Sequence, residues 1–470
     1  MSFELEVLQF PANFDWGVAT AAFQIEGAPK ADGRLPSVWD TFSQKWRRSK
    51  QDLLVPMGFS KPPSLAMCDH YHRYRDDIKL MAQLGVKHYR LSLSWCRIVP
   101  EGRGATNQAG LDFYERLLDC LLEHGIQPAV TLFHWDSPLA LEQRYGSWRS
   151  RAIAQDFADY VMVAVGRLGD RVKRWITLNE MTCFTHLGYA VGRPPEHAPG
   201  TIVQQLQQVW QTSHHALLAH GLGVQAIRAA TPHPCEVGLV DNFGVTIPLT
   251  ESPADIAAAQ AAFPYHCGNG GMIYPALTGA YHPGLIAELG NDAPIVQAGD
   301  LTIIHQPLDF LGLNIYTGTY IRAADHDKGC EWLDLPAGYP KMHMPWLNLC
   351  PDSLYWGIWH VANTLNQPQL PIAITENGCA APDVVNERGE VMDLDRIMYL
   401  KQHLRGVHRA IREGYPVTGY YLWSLLDNYE WSWAYQKRFG IIYVDYATQR
   451  RIPKASFYWY RDCIKQGQIL

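Results

Sequence analysis

Ile372-Ala373-Ile374-Thr375-Glu376-Asn377-Gly378 begins as a short apolar run rich in β-branched residues and breaks at Asn-Gly. That pattern reads as a buried parallel strand ending in a turn. A carboxylate stands at the end of the strand, where a charge is costly unless it is paired or used. Taken alone, Glu376 is more simply a helix cap or the partner of an arginine. A second stretch changes that balance. Arg174-Trp175-Ile176-Thr177-Leu178-Asn179-Glu180 has the same form, an apolar strand closing on Glu. Parallel α/β folds bring the C-terminal ends of their strands to one face. The two glutamates can therefore meet, and facing carboxyls are the working parts of glycoside hydrolysis.

Outward from these two stretches, short apolar strands alternate with helical patterns. Strands are predicted at Phe14–Thr20, Val86–Trp95, Ile126–Trp135, Trp175–Glu180, Val237–Asn242, Phe310–Tyr316, Ile372–Glu376 and Thr418–Leu425. Helical spacing covers Asp69–Leu84, Leu111–Glu123, Arg151–Leu168, Val203–Ala229, Ser353–Asn366 and Asp393–Arg412. Eight strands alternating with helices predict an α/β fold, a closed (β/α)8 TIM barrel. No Gly-, Ser- or Pro-rich linker divides the chain, so residues 1–470 are expected to form a single catalytic domain. Gly192–Gly200 and Cys330–Pro351 read as long loops on the active face.

The composition narrows the class. A formal net charge of −6 leaves no electrostatic footprint for nucleic acid. The basic cluster Lys45-Trp46-Arg47-Arg48-Ser49-Lys50 reads as a solvated loop. The N-terminus MSFELEVLQF has no basic or long apolar export signal, and no run is long enough to span a membrane. Ten scattered cysteines without a CxxC pair read as reduced thiols of a cytoplasmic protein. Cys183 and Cys379 lie near the two glutamates in sequence and read as small buried filler. Sixteen Trp and 24 Tyr supply flat faces suited to sugar rings, although most are expected in the core.

The residues at the strand ends carry the chemistry. Gln24 and Glu26 follow the first strand, Arg90 lies in the second, and His134-Trp135-Asp136 end the third. Asn179-Glu180, Asn314 with Tyr316, Glu376 and Trp423 end the fourth, sixth, seventh and eighth. Asp427-Asn428-Tyr429-Glu430-Trp431 follow. A barrel enzyme places its site at these positions. The pairs His70/His72 and His214/His215 lack the HExxH spacing of a metal site. No metal and no cofactor is expected.

With these motifs in view the chain resembles the family 1 glycoside hydrolases, the β-glucosidase and β-galactosidase group. The resemblance runs from Phe10-Pro11 to about Tyr460. It is carried by FPANFDWGVATAAFQIEG, MCDHYHRYRDDIKLMAQLGVKHYRLSLSW, TLNE, ITENG, and GYYLWSLLDNYEW followed by RFG. It implies an exo-acting hydrolase of small-molecule β-glycosides that retains anomeric configuration. It also implies Glu376 as nucleophile and Glu180 as acid/base. Gln24, His134, Asn179, Glu430 and Trp431 are implied to bind sugar hydroxyls, over Trp423 as a stacking floor. Arg90 and Tyr316 are implied to orient Glu376 and keep it ionised. Trp135, Asn314 and Tyr316 complete the implied sugar-binding set. Glu430, where relatives acting on 6-phospho-sugars carry a small polar residue, implies unphosphorylated glucosides.

Four departures lie toward the entrance or the aglycone side. Met181 replaces the usual Pro, and Thr182 a bulky aromatic. Ala434 replaces the usual Gly beside an additional Trp433, and Gln44–Pro63 does not follow the common pattern. The resemblance therefore carries the sugar site but not the aglycone preference or the oligomeric state. The alternative readings are an enzyme mainly for β-galactosides or β-fucosides, a transglycosylating enzyme, or an inactive sugar-binding barrel. Retention of both carboxylates stands against the last.

Overall fold

A computed structural model describes residues 7–49, 66–326 and 328–470. Eight parallel strands close into a barrel: β1 Asp15–Ala19, β2 His88–Ser92, β3 Gln127–Phe133, β4 Arg174–Asn179, β5 Glu236–Asp241, β6 Phe310–Asn314, β7 Ile372–Asn377 and β8 Val417–Trp423. Each strand pairs with its neighbours in sequence, and β8 pairs back onto β1, from Asp15 opposite Gly419 to Ala19 opposite Trp423. The expected (β/α)8 architecture is the one observed. The strands are buried almost throughout, helices covering the outside and side chains filling the inside.

Local signals set the helix ends. His70–Leu84 stops at Gly85, whose φ of +86° lets its N–H reach the Met81 and Ala82 carbonyls. Leu206–Ala230 starts with reciprocal capping between Gln205 and Gln208. Where this helix crosses Asp300–Ile304, a Cβ on Gly221 would lie 1.9 Å from the Ile303 carbonyl oxygen. Only glycine permits that approach.

The structure departs from expectation at several strand ends and in the basic cluster. The second strand ends at Ser92, not Trp95, because Trp95–Ile98 turns into helix. The sixth ends at Asn314, two residues before Tyr316. The basic cluster is not a loop as far as Ser49, since a helix runs Val38–Ser49. Lys50 and the rest of the unusual stretch to Pro63 lie outside the described residues.

Between β5 and β6 short helices replace a single long one: Pro253–Ala262, Ile273–Thr278, Pro283–Leu289 and Asp300–Ile304. A small sheet of Thr246–Pro248, Thr319–Ala323 and Cys330–Trp332 packs beside them. The two long loops do reach the active face. His197 from the first packs against Trp135, and Trp346 from the second against Tyr316. Among the described residues, no helix is long and apolar enough to cross a membrane.

Candidate active site

The strand ends deliver Glu376 and Glu180 into one buried cluster, each at most 5% exposed. Their surroundings differ. Arg90, from β2, donates from Nη1 to Glu376 Oε1 at 2.5 Å, and the Tyr316 hydroxyl donates to Oε2 at 2.7 Å. Glu376 thus faces one cation and one phenol. Burial pushes its carboxyl up, and Arg90 and Tyr316 pull it back. The two donors alone do not set its ionisation, as the resemblance implied, because burial works against them.

Glu180 receives no such cation. Asn314 Nδ2 donates to its Oε1 at 2.5 Å, and the Cys183 thiol donates to its Oε2 at 3.2 Å. Burial first and the charge of Glu376 second push Glu180 up to about 8. Two carboxyls in one low-dielectric pocket share a single negative charge. The guanidinium and phenol hold that charge on Glu376, which leaves the proton on Glu180.

A second hydrogen-bond chain fixes the polar floor. Arg90 Nη2 donates to Asn179 Oδ1 at 2.5 Å, and Asn314 Nδ2 reaches the same oxygen at 3.0 Å. Asn179 Nδ2 then faces His134 Nε2 at 3.2 Å. His134 is held neutral, far below the ordinary range, by burial and by Arg90. Opposite, Gln24 Nε2 donates to Asn428 Oδ1 at 3.0 Å, to the Tyr429 carbonyl at 2.9 Å and to Glu430 at 3.5 Å. Gln24 Oε1 is buried without a partner among the described residues, an acceptor free for a ligand hydroxyl. Glu430 is half-buried. Burial and the charges of Glu376 and Glu180 push its carboxyl up to about 8.

Aromatic rings wall the pocket. His134 lies nearly parallel to Trp423 at 5.9 Å and to Trp431 at 5.8 Å. Trp431 also stacks on Phe23 at 5.8 Å. The turn carrying Glu430 and Trp431 closes by a bond from the Glu430 N–H to the Ala434 carbonyl at 2.6 Å. Ala434 has φ +48°, a conformation that strains an L-residue by about 1–3 kcal/mol. The family's usual glycine would adopt it freely.

Residues 7–469 match the model of glycosyl hydrolase family 1. The chain belongs to that family. β-Glucosidase A of Thermotoga maritima is 42% identical over 99% of this family 1 chain and 100% of its own. A bifunctional β-D-glucosidase/β-D-fucosidase of Bifidobacterium breve is 41% identical over 97% of this chain and 98% of its own. Among solved structures, the family 1 β-glucosidase of T. maritima in complex with isofagomine lactam matches with a TM-score of 0.85 at 41% identity. That match covers 99% of this chain and 100% of that one.

Every site residue drawn from the family 1 motifs lies in this cluster or its walls, but two are committed differently. Asn314, expected on the sugar, directs its amide N–H groups to Glu180 and Asn179 and accepts from Thr375 Oγ1 at 2.8 Å. It orients Glu180. Trp135, also expected on the sugar, donates its indole N–H to the Asn179 carbonyl at 2.9 Å and packs on Trp431 at 4.4 Å. It props the wall and has only its ring to offer. Other strand-end groups are structural: Glu26 pairs with Arg97, and Asp427 with Arg438 and Lys454.

Three contributors escaped the sequence reading. Thr375 fixes Asn314, Phe439 packs edge-on against Tyr316 at 6.1 Å, and Cys183 contacts Glu180. Phe439 sits inside the RFG motif, which was the available signal. The histidine pairs are engaged elsewhere: His70 with Asp77, His72 with Asp69, His214 with Asp300, and His215 with the Trp148 carbonyl.

Proposed function

We propose that this family 1 chain is a retaining exo-acting β-glucosidase for unphosphorylated β-D-glucosides, with Glu376 as nucleophile and Glu180 as acid/base. The observation that carries the residue roles is the asymmetry around the two buried carboxyls: Arg90 and Tyr316 on Glu376, neutral donors on Glu180. The names of the relatives support the activity.

Glu376 attacks the anomeric carbon while Glu180 gives its proton to the departing glycosidic oxygen, leaving a covalent glycosyl-enzyme. The charge on Glu376 is consumed in that bond. Glu180 then ionises more readily, takes a proton from water, and the resulting hydroxide nucleophile displaces the sugar with a second inversion. Asn179, His134, Gln24, Glu430 and Trp431 hold the sugar hydroxyls, and Trp423 lies under the ring. Glu430 accepts from hydroxyls and offers a phosphate in its place no cation, which favours the unphosphorylated sugar. Activity on β-fucosides accompanies this reading, in line with the name of the B. breve relative. We also propose that the enzyme works in the cytoplasm: all ten cysteines are unpaired, eight of them buried.

Initial rates on chromogenic β-D-glucoside, galactoside, fucoside and glucoside 6-phosphate test the proposal. The glucoside is expected to be cleaved well, the phosphorylated sugar not at all. Glu376→Ala is expected to lose about 10⁴-fold or more. Cleavage confined to the phosphorylated substrate contradicts the reading of Glu430.

A further inference from the structure

Donor and acceptor roles around Glu180 follow from one group that cannot accept. Arg90 is donor-only, so the Asn179 atom it meets at 2.5 Å is the carbonyl oxygen. That oxygen also receives Asn314 at 3.0 Å, so the Asn314 atom there is its amide nitrogen. The Thr375 hydroxyl on Asn314 Oδ1 agrees. The same Asn314 nitrogen meets Glu180 Oε1 at 2.5 Å. An amide N–H cannot accept, so a proton on Oε1 finds no acceptor in Asn314 and Oε1 is the better-suited unprotonated oxygen. That favours Oε2 for the proton of the acid form, the oxygen that faces Cys183 Sγ at 3.2 Å.

Cys183 reaches that oxygen because the backbone turns sharply at Glu180. Glu180 has φ +49°, and Met181–Phe184 forms one helical turn, with the Cys183 N–H bonded to the Glu180 carbonyl at 3.0 Å. The two side chains stand three residues apart on one face. His197 Nδ1 donates to the Cys183 carbonyl at 3.0 Å, and Asn242 Nδ2 donates to its sulfur at 3.4 Å. The residue is therefore held through its backbone carbonyl and through its sulfur, and its thiol donates to Glu180.

We propose that Cys183 is a positioning residue for the acid/base: its thiol holds Glu180 Oε2, donating to it when the group acts as base and yielding it to the glycosidic oxygen when the group acts as acid. The assignment rests on Glu180 being the acid/base. The thiol proton itself is not transferred. Glu180 Oε2 loses its proton to the leaving oxygen and later regains one from water. A sulfur suits the task because it is a weak acceptor and competes little with substrate for the acid proton. Other charged or titratable groups face Glu180 as well: Glu376 and Glu430, Arg90, and Tyr316. Behind the thiol stands Asp241, buried at the end of β5.

The test is the alkaline limb of kcat/KM for an aryl glucoside with a poor leaving group. Cys183→Ala removes a donor to the carboxylate and is expected to move that limb up by about one pH unit. Cys183→Ser restores a donor and is expected to return it close to the wild-type position. On the wild type, the infrared S–H stretch assigned by difference against Cys183→Ser is expected to shift as the pH crosses the limb. A limb unmoved in Cys183→Ala, a Ser variant behaving like Ala, or an S–H band indifferent to pH overturns the proposal. Glu180→Gln separates the two readings. It is expected to abolish the alkaline limb, and if the limb persists, the assignment of Glu180 itself fails.

Discussion

Tyr316 donates to Glu376 at 2.7 Å, and its own hydroxyl is pushed well above the ordinary range by burial and by the charge of Glu376. It therefore remains a donor across the working pH range. Hydrogen bonding to the charged form favours that form, so Tyr316→Phe raises the Glu376 carboxyl further. In the proposed mechanism activity needs Glu376 ionised and Glu180 protonated, so kcat/KM is expected to be bell-shaped. Its acid limb belongs to Glu376, above the ordinary Glu value of 4.5, and its alkaline limb to Glu180, near 8. The variant is expected to move only the acid limb, upward by about one unit. A pH–rate profile that keeps its acid limb in place removes Tyr316 from this role. At this scale the sequence was informative where a motif named the residue, as for Arg90, Tyr316 and Glu430. It read Cys183 as buried filler, because the contact with Glu180 depends on the positive φ at Glu180, which no local pattern encodes. It did not reveal that the polar atoms of Asn314 and Trp135 are taken up by neighbours distant in sequence.

Two close approaches decide how elements seat. A Cβ on Gly378, just after β7, would lie 1.8 Å from the Trp423 carbonyl oxygen at the end of β8. A Cβ on Gly221 would collide as closely with Ile303, on the outer helices. Either Gly→Ala change overpacks and is expected to cost about 1–3 kcal/mol of stability. The consequences for catalysis differ. Gly378→Ala displaces the strand end that carries Trp423, so kcat/KM per folded molecule falls at least tenfold. Gly221→Ala leaves it within about twofold. Denaturant titration paired with active-site-normalised kinetics checks both, and equal catalytic losses would contradict the assignment. The eight strands were legible because each is a short β-branched or aromatic run stopped by a polar group, and their predicted ends fall within a few residues of the observed ones. The stretch from Phe243 to Asp309 was not. Its helices run only 5–10 residues and pack on one another, too short for a clear helical period.

The molecule as a whole gives up stability to hold its site. Glu180 and Glu430 are pushed to about 8, and Glu376 is raised. Between the unfolded value near 4.3 and the folded value near 8, the unfolded chain binds fewer protons at Glu180 than the native one. Stability therefore falls as pH rises through that window. Glu180→Gln removes the term and is expected to stabilise by about 1–3 kcal/mol at pH 8, with the gain disappearing below about pH 4.5. Thermal melts across that range read the difference. The opposite sign holds for Asp77 and Asp300, which His70 with Arg451, and Arg151 with His214, keep below the ordinary Asp value against the effect of burial. Their contribution is present above the unfolded Asp value and is lost as pH falls through the folded one.

The covalent glycosyl-enzyme on Glu376 is the step on which the other roles depend, and trapping it is the direct measurement. A 2-deoxy-2-fluoro-β-D-glucoside with an activated leaving group slows both displacements but leaves the first the faster, so the intermediate accumulates. Peptide mass spectrometry is expected to find one fluoroglucosyl group per chain, on the peptide containing Ile374-Thr375-Glu376-Asn377 and on Glu376 itself. An adduct on Glu180, or turnover with inverted product and no adduct, would contradict the account.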